Sequence, residues 1–351
     1  MDGALLPSMN QRLAALEGAS DRILDIQLSS GAIPWFENGP WDPWNHVECA
    51  MALTVMEAHG EAGAAFDYLF ESQRPDGAWL GEYGNALPMV DRDFISREKA
   101  PAVLDTNFCA YLAVGVLHYL EATGDIDRVR DWWPMVRAAM DFVLGLQRPD
   151  GAIPWSFEAV GTNEDDALLA GNASIAKSLE CAIVLAQRLD KPEPGWIEAR
   201  QKLVEALRNN PAAFDRRGTG ARFAMDWYYP VLSGVLDKAV ANARIRSGWS
   251  DFVTEWGCRC LSDEPWITVA ETCELVLTLV SMDEQEMAEQ LFQGTFQHQD
   301  SNRAFWMGWQ TKEEIFWPRE QPSWTQAAAI LASDALYGHS RAHRVLTHSV
   351  L

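Results

Sequence analysis

Acidic residues and tryptophans gather in six short stretches of this chain, each just before an apolar run. The stretches read NGPWDPWNHVE (38–48), APAVLDTN (100–107), NEDDALLAGNAS (163–174), ARFAMDWYYP (221–230), LSDEPWITVAE (261–271) and EIFWPREQPSW (314–324). Every one holds an Asp or Glu, and all but the second and third hold Trp. Flat aromatic faces stack on the CH faces of sugars while neighbouring carboxylates accept hydroxyl protons. The same faces can stabilise the cation of a polyene.

Within these stretches a few acids stand out by their company. Glu320, flanked by Arg319 and two tryptophans in Trp-Pro-Arg-Glu-Gln-Pro-Ser-Trp, is placed to act as a general base on water. Glu164, Asp165 and Asp166 are adjacent like charges that raise one another's pKa, which suits Asp165 or Asp166 to a general acid. Glu264, in Ser-Asp-Glu-Pro-Trp, is a second candidate proton donor. Glu271 falls inside a helical run without a Lys partner, a costly position that points to a carboxylate projecting into the molecule's centre. Trp41, Trp44, Trp227, Trp266 and Trp324 are candidate sugar platforms, and Asp105 and Asp226 candidate substrate contacts. Asp105-Thr106-Asn107 also reads as a helix N-cap, and acids at helix starts are favoured by the dipole whatever else they do. His46, between Trp44 and Glu48, is the base a sugar epimerase or lyase would use, although a lone His at a helix start commonly serves structure.

An internal repeat shows what must position these residues. ILDIQLSSGAIPW (23–35) returns as YLFESQRPDGAW (68–79), as FVLGLQRPDGAIPW (142–155) and, more worn, as FQGTFQHQDSNRAFWMGW (292–309). In each, an amphipathic run ends at Gln, a polar turn follows, and Trp appears soon after. Strongly apolar helical runs lie at about 44–58, 104–120, 172–189, 226–240, 266–280 and 323–337. More amphipathic runs alternate with them at about 8–27, 60–73, 128–147, 196–210, 242–256 and 283–297. Long β-branched alternating runs are absent, so sheet content should be slight. Six buried and six amphipathic helices make six hairpins, and a ring of hairpins explains the pattern. The reading is an all-α (α/α)6 barrel, a toroid spanning 1–351 as a single domain. The loops leading into the inner helices then open at one end, which carries the chemistry.

The totals narrow the partners. Fifty acidic and 28 basic side chains give a net charge of −22, which repels nucleic acid and anionic membranes and suits a neutral small-molecule or oligosaccharide substrate. Sixteen Trp, many beside Pro, Gly or an acid, suggest exposed aromatic surface. The six Cys sit mostly in apolar runs and read as core residues of a cytoplasmic protein. Cys258-Arg259-Cys260 is too tightly spaced for a zinc pair, so no metal is expected, and no cofactor either. The N-terminus lacks a basic start followed by an apolar run, and no eighteen apolar residues run together.

Residues 104–151, LDTNFCAYLAVGVLHYLEATGDIDRVRDWWPMVRAAMDFVLGLQRPDG, resemble the second hairpin of the six-hairpin glycosidases, the glucoamylase-like group. GNASIAKSLECAIVLAQRL resembles the inner helix that follows, and REQPSWTQAAAIL the last inner helix. The resemblance implies a glycoside hydrolase with Glu320 as catalytic base. The family's general acid lies just before the third inner helix, where this chain has Ala167-Leu168-Leu169-Ala170 and its nearest acids are Asp165 and Asp166. A second resemblance is to terpenoid cyclases and prenyltransferase β-subunits, whose Gln-x-x-x-Gly-x-Trp phrase is matched by Gln73 to Trp79. It implies a toroid around a deep, closed, apolar cavity. A non-catalytic binding toroid, with the Trp cluster but no inward carboxylates, is a third reading.

Overall fold

The computed structural model describes residues 9–84, 103–158, 163–164, 166–216, 218 and 220–351. Six inner helices, α3 (Pro43–Val55), α5 (Thr106–Thr123), α7 (Leu169–Arg188), α9 (Ala224–Leu232), α11 (Val269–Ser281) and α13 (Ser323–Tyr337), pack each on the next, and α13 packs back on α3. Six outer helices, α2 (Glu17–Ile26), α4 (His59–Ser72), α6 (Ile126–Gly145), α8 (Pro194–Asn209), α10 (Lys238–Phe252) and α12 (Gln285–Thr295), cover the ring, and the short α1 (Met9–Ala14) precedes them. Helices α4, α6, α8, α10 and α12 each cover the inner helix before them in the chain, whereas α2 covers α13 and so closes the circle. One apolar cluster runs through this double ring from Leu16 to Val345. The expected (α/α)6 toroid is the fold.

The fourth inner run, read as 226–240, is shorter than expected. Helix α9 ends at Leu232 because the chain turns at Gly234, whose φ of 70° is left-handed, and α10 begins at Lys238. Sheet content is slight, as expected. Antiparallel β1 (Val103–Asp105), β2 (Ser156–Glu158) and β3 (Asn163–Glu164) form one small sheet, and β4 (Val253–Thr254) pairs with β5 (Gly257–Cys258). A third sheet joins β6 (Trp266–Thr268), β7 (Gly308–Gln310) and β8 (Ile315–Phe316). All three stiffen the segments that lead into inner helices.

The repeat phrase turns out to be a lock between hairpins. Its Gln side chain donates both to the carbonyl four residues on and to the backbone of a neighbouring outer segment: Gln73 to Gly77 and Met135, and Gln147 to Gly151 and Ala199. Gln27 does the same with Gly31 and Glu61, and Gln299 with Arg303 and Ala15. The turn glycine has a positive φ, 86° at Gly77 and 91° at Gly151, and a Cβ there would overlap the carbonyl of Ala138 or Lys202 on the next outer helix. In the worn fourth copy Arg303 takes that left-handed place with a φ of 63°. The close approach is then relieved from the other side, by Gly18 on α2. Glycine is needed on one surface of each contact, and the chain places it on either.

A second device sets the phase of the inner helices. Counted from the N-cap, the fourth residue of five inner helices receives a backbone N–H from the segment leading in. His46 Nδ1 accepts from Ile33, Cys109 Sγ from Trp79, Asn172 Oδ1 from Ile153, Thr272 Oγ1 from Cys258 and Gln326 Oε1 from Phe305. His46 is therefore a structural latch, equivalent to an Asn or a Gln elsewhere in the ring. It is fully buried, its Nε2 bonds the Ala65 carbonyl at 2.9 Å, and burial lowers its pKa to about 4. Neither a base nor a substrate contact is available from it.

Candidate active site

With position four latched outward, position six of each inner helix faces the ring axis. The six residues are Glu48, Tyr111, Ser174, Tyr229, Glu274 and Ala328. They fill the axis instead of leaving a hole. Trp44 stacks on Tyr111 at 4.1 Å and 6°, and its ring also meets Tyr229, on the opposite helix, at 5.7 Å. The Tyr111 hydroxyl donates to Glu48 Oε1 at 3.3 Å, and Tyr228 donates to Glu274. Burial pushes Glu48 up to about 8, and burial together with the charge of Glu48 pushes Glu274 well above its ordinary value.

Above the plug, positions two and three of the inner helices line the mouth. On one side the starts of α5, α7 and α9 enclose a cavity of about 270 Å³. Its wall is mostly apolar, with Phe108, Trp155, Leu168, Ile175, Phe223 and Met225, and the first turn of α7 adds the small Ala170 and Gly171. Asp105 and Asp226 face into it with Asn107 and Asn172. Asp105 Oδ1 caps α5 by accepting from the Phe108 amide at 3.0 Å, and burial raises its pKa to about 7 against the pull of that bond. Asp226 reaches across from α9 and accepts from the Ala170 amide of α7 at 3.1 Å. Burial, reinforced by the negative charge of Asp215, raises Asp226 to about 7 as well. The Asn107 Oδ1 atom is buried beside the cavity without a hydrogen-bond partner among the described residues.

The remaining sequence candidates divide by this geometry. Trp324 and Trp266 are half-buried at the mouth: Trp324 meets Trp35 edge-on at 5.7 Å, and Trp266 meets Trp317 at 5.5 Å. Trp44 is the floor. Glu320 is half-buried in the segment leading into α13, its carbonyl accepting from the Met307 amide. Glu271, at position three of α11, faces the mouth, where the Thr268 hydroxyl donates to it and the Cys260 thiol lies against it. The deeply buried carboxylate expected at Glu271 is Glu274, one turn further on. Asp166 is buried and spends Oδ1 on the amides of Ala167 and Arg216, so it shapes the approach to α7. Asp165 lies outside the described residues.

Three candidates leave the mouth. Glu264 is exposed and pairs with Arg222 at 4.0 Å on the surface. Trp227 occupies position four of α9, so it points outward, donates to the Arg244 carbonyl at 2.8 Å and stacks on Phe252. Trp41 is buried against Tyr83, 4.4 Å away and nearly parallel. The expectation of exposed aromatic surface fails more widely, since among the described residues Trp256 is the one tryptophan that is exposed. Tryptophans beside Pro and Gly here pack loops onto the ring.

Sequence reasoning misses Glu48, Glu274 and Tyr111, although the signal is present. A Glu at the same distance from the cap in two apolar runs, Glu48 in VECAMALTV and Glu274 in AETCELVLTLV, marks one shared layer.

No protein-family model matches the chain. Among solved structures, the ring superposes on a glycosidase variant bound to glucose with a TM-score of 0.69 and 12% identity, over 95% of this chain and 100% of that one. It also superposes on a D-mannose isomerase (TM-score 0.68, 10% identity, 95% and 99% covered). A GH63 mannosylglycerate hydrolase from Thermus thermophilus matches at 0.66, with 13% identity and 90% and 99% covered. The fold is thus that of the six-hairpin glycosidases, with carboxyls and aromatic rings at one mouth. In sequence the chain is 44% identical over 315 residues, 90% of its length and 84% of the relative's, to the MMP endo-(1,4)-3-O-methyl-alpha-D-mannosidase of Mycolicibacterium hassiacum. The chain belongs to the family of that mannosidase. It is a glycoside hydrolase, and its substrate is a sugar.

Proposed function

We propose that this hydrolase cleaves internal linkages of a neutral chain of (1,4)-linked 3-O-methyl-α-D-mannose, the substrate named for its relative. The observation that carries the reading is the cavity between α5, α7 and α9. A methyl ether has lost its hydroxyl donor and gained an apolar group, and a wall of Phe108, Trp155, Leu168, Phe223 and Met225 suits it better than it suits a bare hydroxyl. The net charge of −22 favours an uncharged polymer over an anionic one.

Asp226 is the proton donor in this proposal. The family resemblance calls for an acid at the start of the third inner helix, where Ala167 to Ala170 are apolar, and Asp226 supplies a carboxyl to that place by bonding the Ala170 amide. A pKa of about 7 keeps it substantially protonated at neutral pH. Glu320, on the far side of the mouth at α13, is the base. Second-neighbour helices in a six-membered ring have axes about 14–17 Å apart for ordinary 8–10 Å packing, which leaves room between two side chains for a sugar and a water. That spacing favours inversion. Asp226 gives its proton to the glycosidic oxygen as the C1–O bond breaks. Glu320 takes a proton from water as the water oxygen bonds to C1 from the opposite face. Asp105, protonated at the other wall, donates a hydrogen bond to the sugar.

All six cysteines are free thiols, which suits a reducing compartment, and we place the enzyme in the cytoplasm as one domain. The test is hydrolysis of methylated and unmethylated α-(1,4)-mannan oligosaccharides by wild type, Asp226→Asn, Glu320→Gln and Asp105→Asn. Expected are internal cuts and a preference for the methylated chain. The first two variants should lose about 10²–10⁴-fold in kcat and Asp105→Asn much less. Equal turnover of both chains, or a near wild-type Glu320→Gln, would overturn the reading.

A further inference from the structure

A second cavity, of about 420 Å³, lies on the outer side of Asp226, between the start of α9 and the outer helix α10. Asp226 lines both cavities, so the residue assigned as proton donor stands between them. Resting on the proposed function, we infer that this outer groove is a sugar subsite, holding the part of the same polymer that lies across the scissile bond from the unit in the mouth.

The groove is chemically different from the mouth cavity. Phe214, Trp227 and Phe252 supply apolar surface, while Asp215, Ser247 and Arg244 supply polar groups. Arg244 is held in place: Nε donates to the Trp227 carbonyl at 2.8 Å and Nη2 to the Asp226 carbonyl at 2.6 Å. A guanidinium carries five N–H donors, so a fixed Arg244 retains donors for sugar oxygens beyond those two bonds. Because it is anchored before any ligand arrives, little side-chain freedom is lost on binding. Its charge is offset locally by Asp215, which leaves a site suited to a neutral polyol. An enzyme that cuts inside a chain must hold sugar on both sides of the cut, and two cavities on either side of one acid provide that.

Filling the groove from its exposed rim tests the inference. Ser247→Trp places an indole into it from the surface of α10, and Ser250→Trp, on the same helix but not lining the groove, is the control. Steady-state kinetics are compared on a series of α-(1,4)-linked 3-O-methylmannose oligosaccharides of increasing length. The expected result is a wild-type kcat/KM that rises with length. In Ser247→Trp it should fall at least tenfold through KM, with kcat within about twofold and a shifted set of product lengths. Ser250→Trp should follow wild type. No loss, or a loss in kcat with KM and product lengths unchanged, overturns the subsite while leaving the hydrolase reading intact. A wild type that cleaves none of these chains overturns both.

Discussion

Replacing Asp226 with Asn should cost activity and add stability, and the two effects have different pH signatures. The amide keeps an oxygen that can accept from Ala170, so the start of α7 stays bonded. In the folded protein the carboxyl titrates at about 7, against an ordinary value of 3.8. Between those values the folded state binds a proton that the unfolded state has released, so wild-type stability falls as pH rises through this window. Three pKa units at 1.36 kcal/mol each make the penalty roughly 4 kcal/mol by pH 8. Asn has no proton to lose. The variant should match wild type near pH 3, gain progressively from pH 4 to 7, and hold a constant advantage above. Urea unfolding at pH 4, 6 and 8 reads this directly. In activity, wild-type kcat/KM should decline above about pH 7 as the donor ionises, and the variant should lose about 10²–10⁴-fold in kcat. A variant that keeps a tenth of wild-type activity, or whose stability parallels wild type at every pH, would refute both the buried carboxyl and its role.

Other outcomes follow from the ring's architecture. Gln147→Ala removes two bonds and leaves the Gly151 and Ala199 carbonyls short of a donor, so denaturant unfolding should show a loss of about 1–3 kcal/mol with KM unchanged. His46, whose pKa is lowered to about 4, stays neutral in the fold while the unfolded chain takes up a proton below its ordinary 6.5. Wild-type stability should therefore fall as pH drops from 6.5 to 4, and His46→Gln should flatten that limb in an acid-unfolding series. Glu264→Ala should leave kcat/KM within twofold and stability within about 0.5 kcal/mol, because the residue is exposed and its pairing with Arg222 is a surface one.

The fold was legible because its signals are local and repeated. The Gln-turn-Gly phrase and the alternation of apolar with amphipathic runs each report one hairpin, and six hairpins of that kind have few ways to bury their inner helices. The site was legible only in outline. Acids and tryptophans do gather before the inner helices, and Asp105, Asp226, Trp44, Trp266 and Trp324 do border the mouth. Residue type could not say which way a side chain turns. Trp227 and Asp226 are adjacent in one stretch and equally suggestive as letters, yet a rotation of about 100° per residue sends one to the outer helix and the other to the cavity. His46 looked chemical because imidazole is versatile. Its role is visible only beside Cys109, Asn172, Thr272 and Gln326, four unlike residues that share one position.

That shared position explains why the chemistry sits where it does. Once residue four of an inner helix is tied to the segment leading in, residue six must face the axis and residue three the mouth, whatever those residues are. The ring can then exchange roles between helices without moving its backbone. Helix α7 brings no acid to the mouth, and the small Ala170 and Gly171 of its first turn leave the space into which Asp226 extends from α9. Had α7 carried its own bulky acid there, Asp226 would have lost the cavity it faces. The apolar third approach, which from sequence alone weakens the case for a hydrolase, is what lets a neighbouring helix supply the proton.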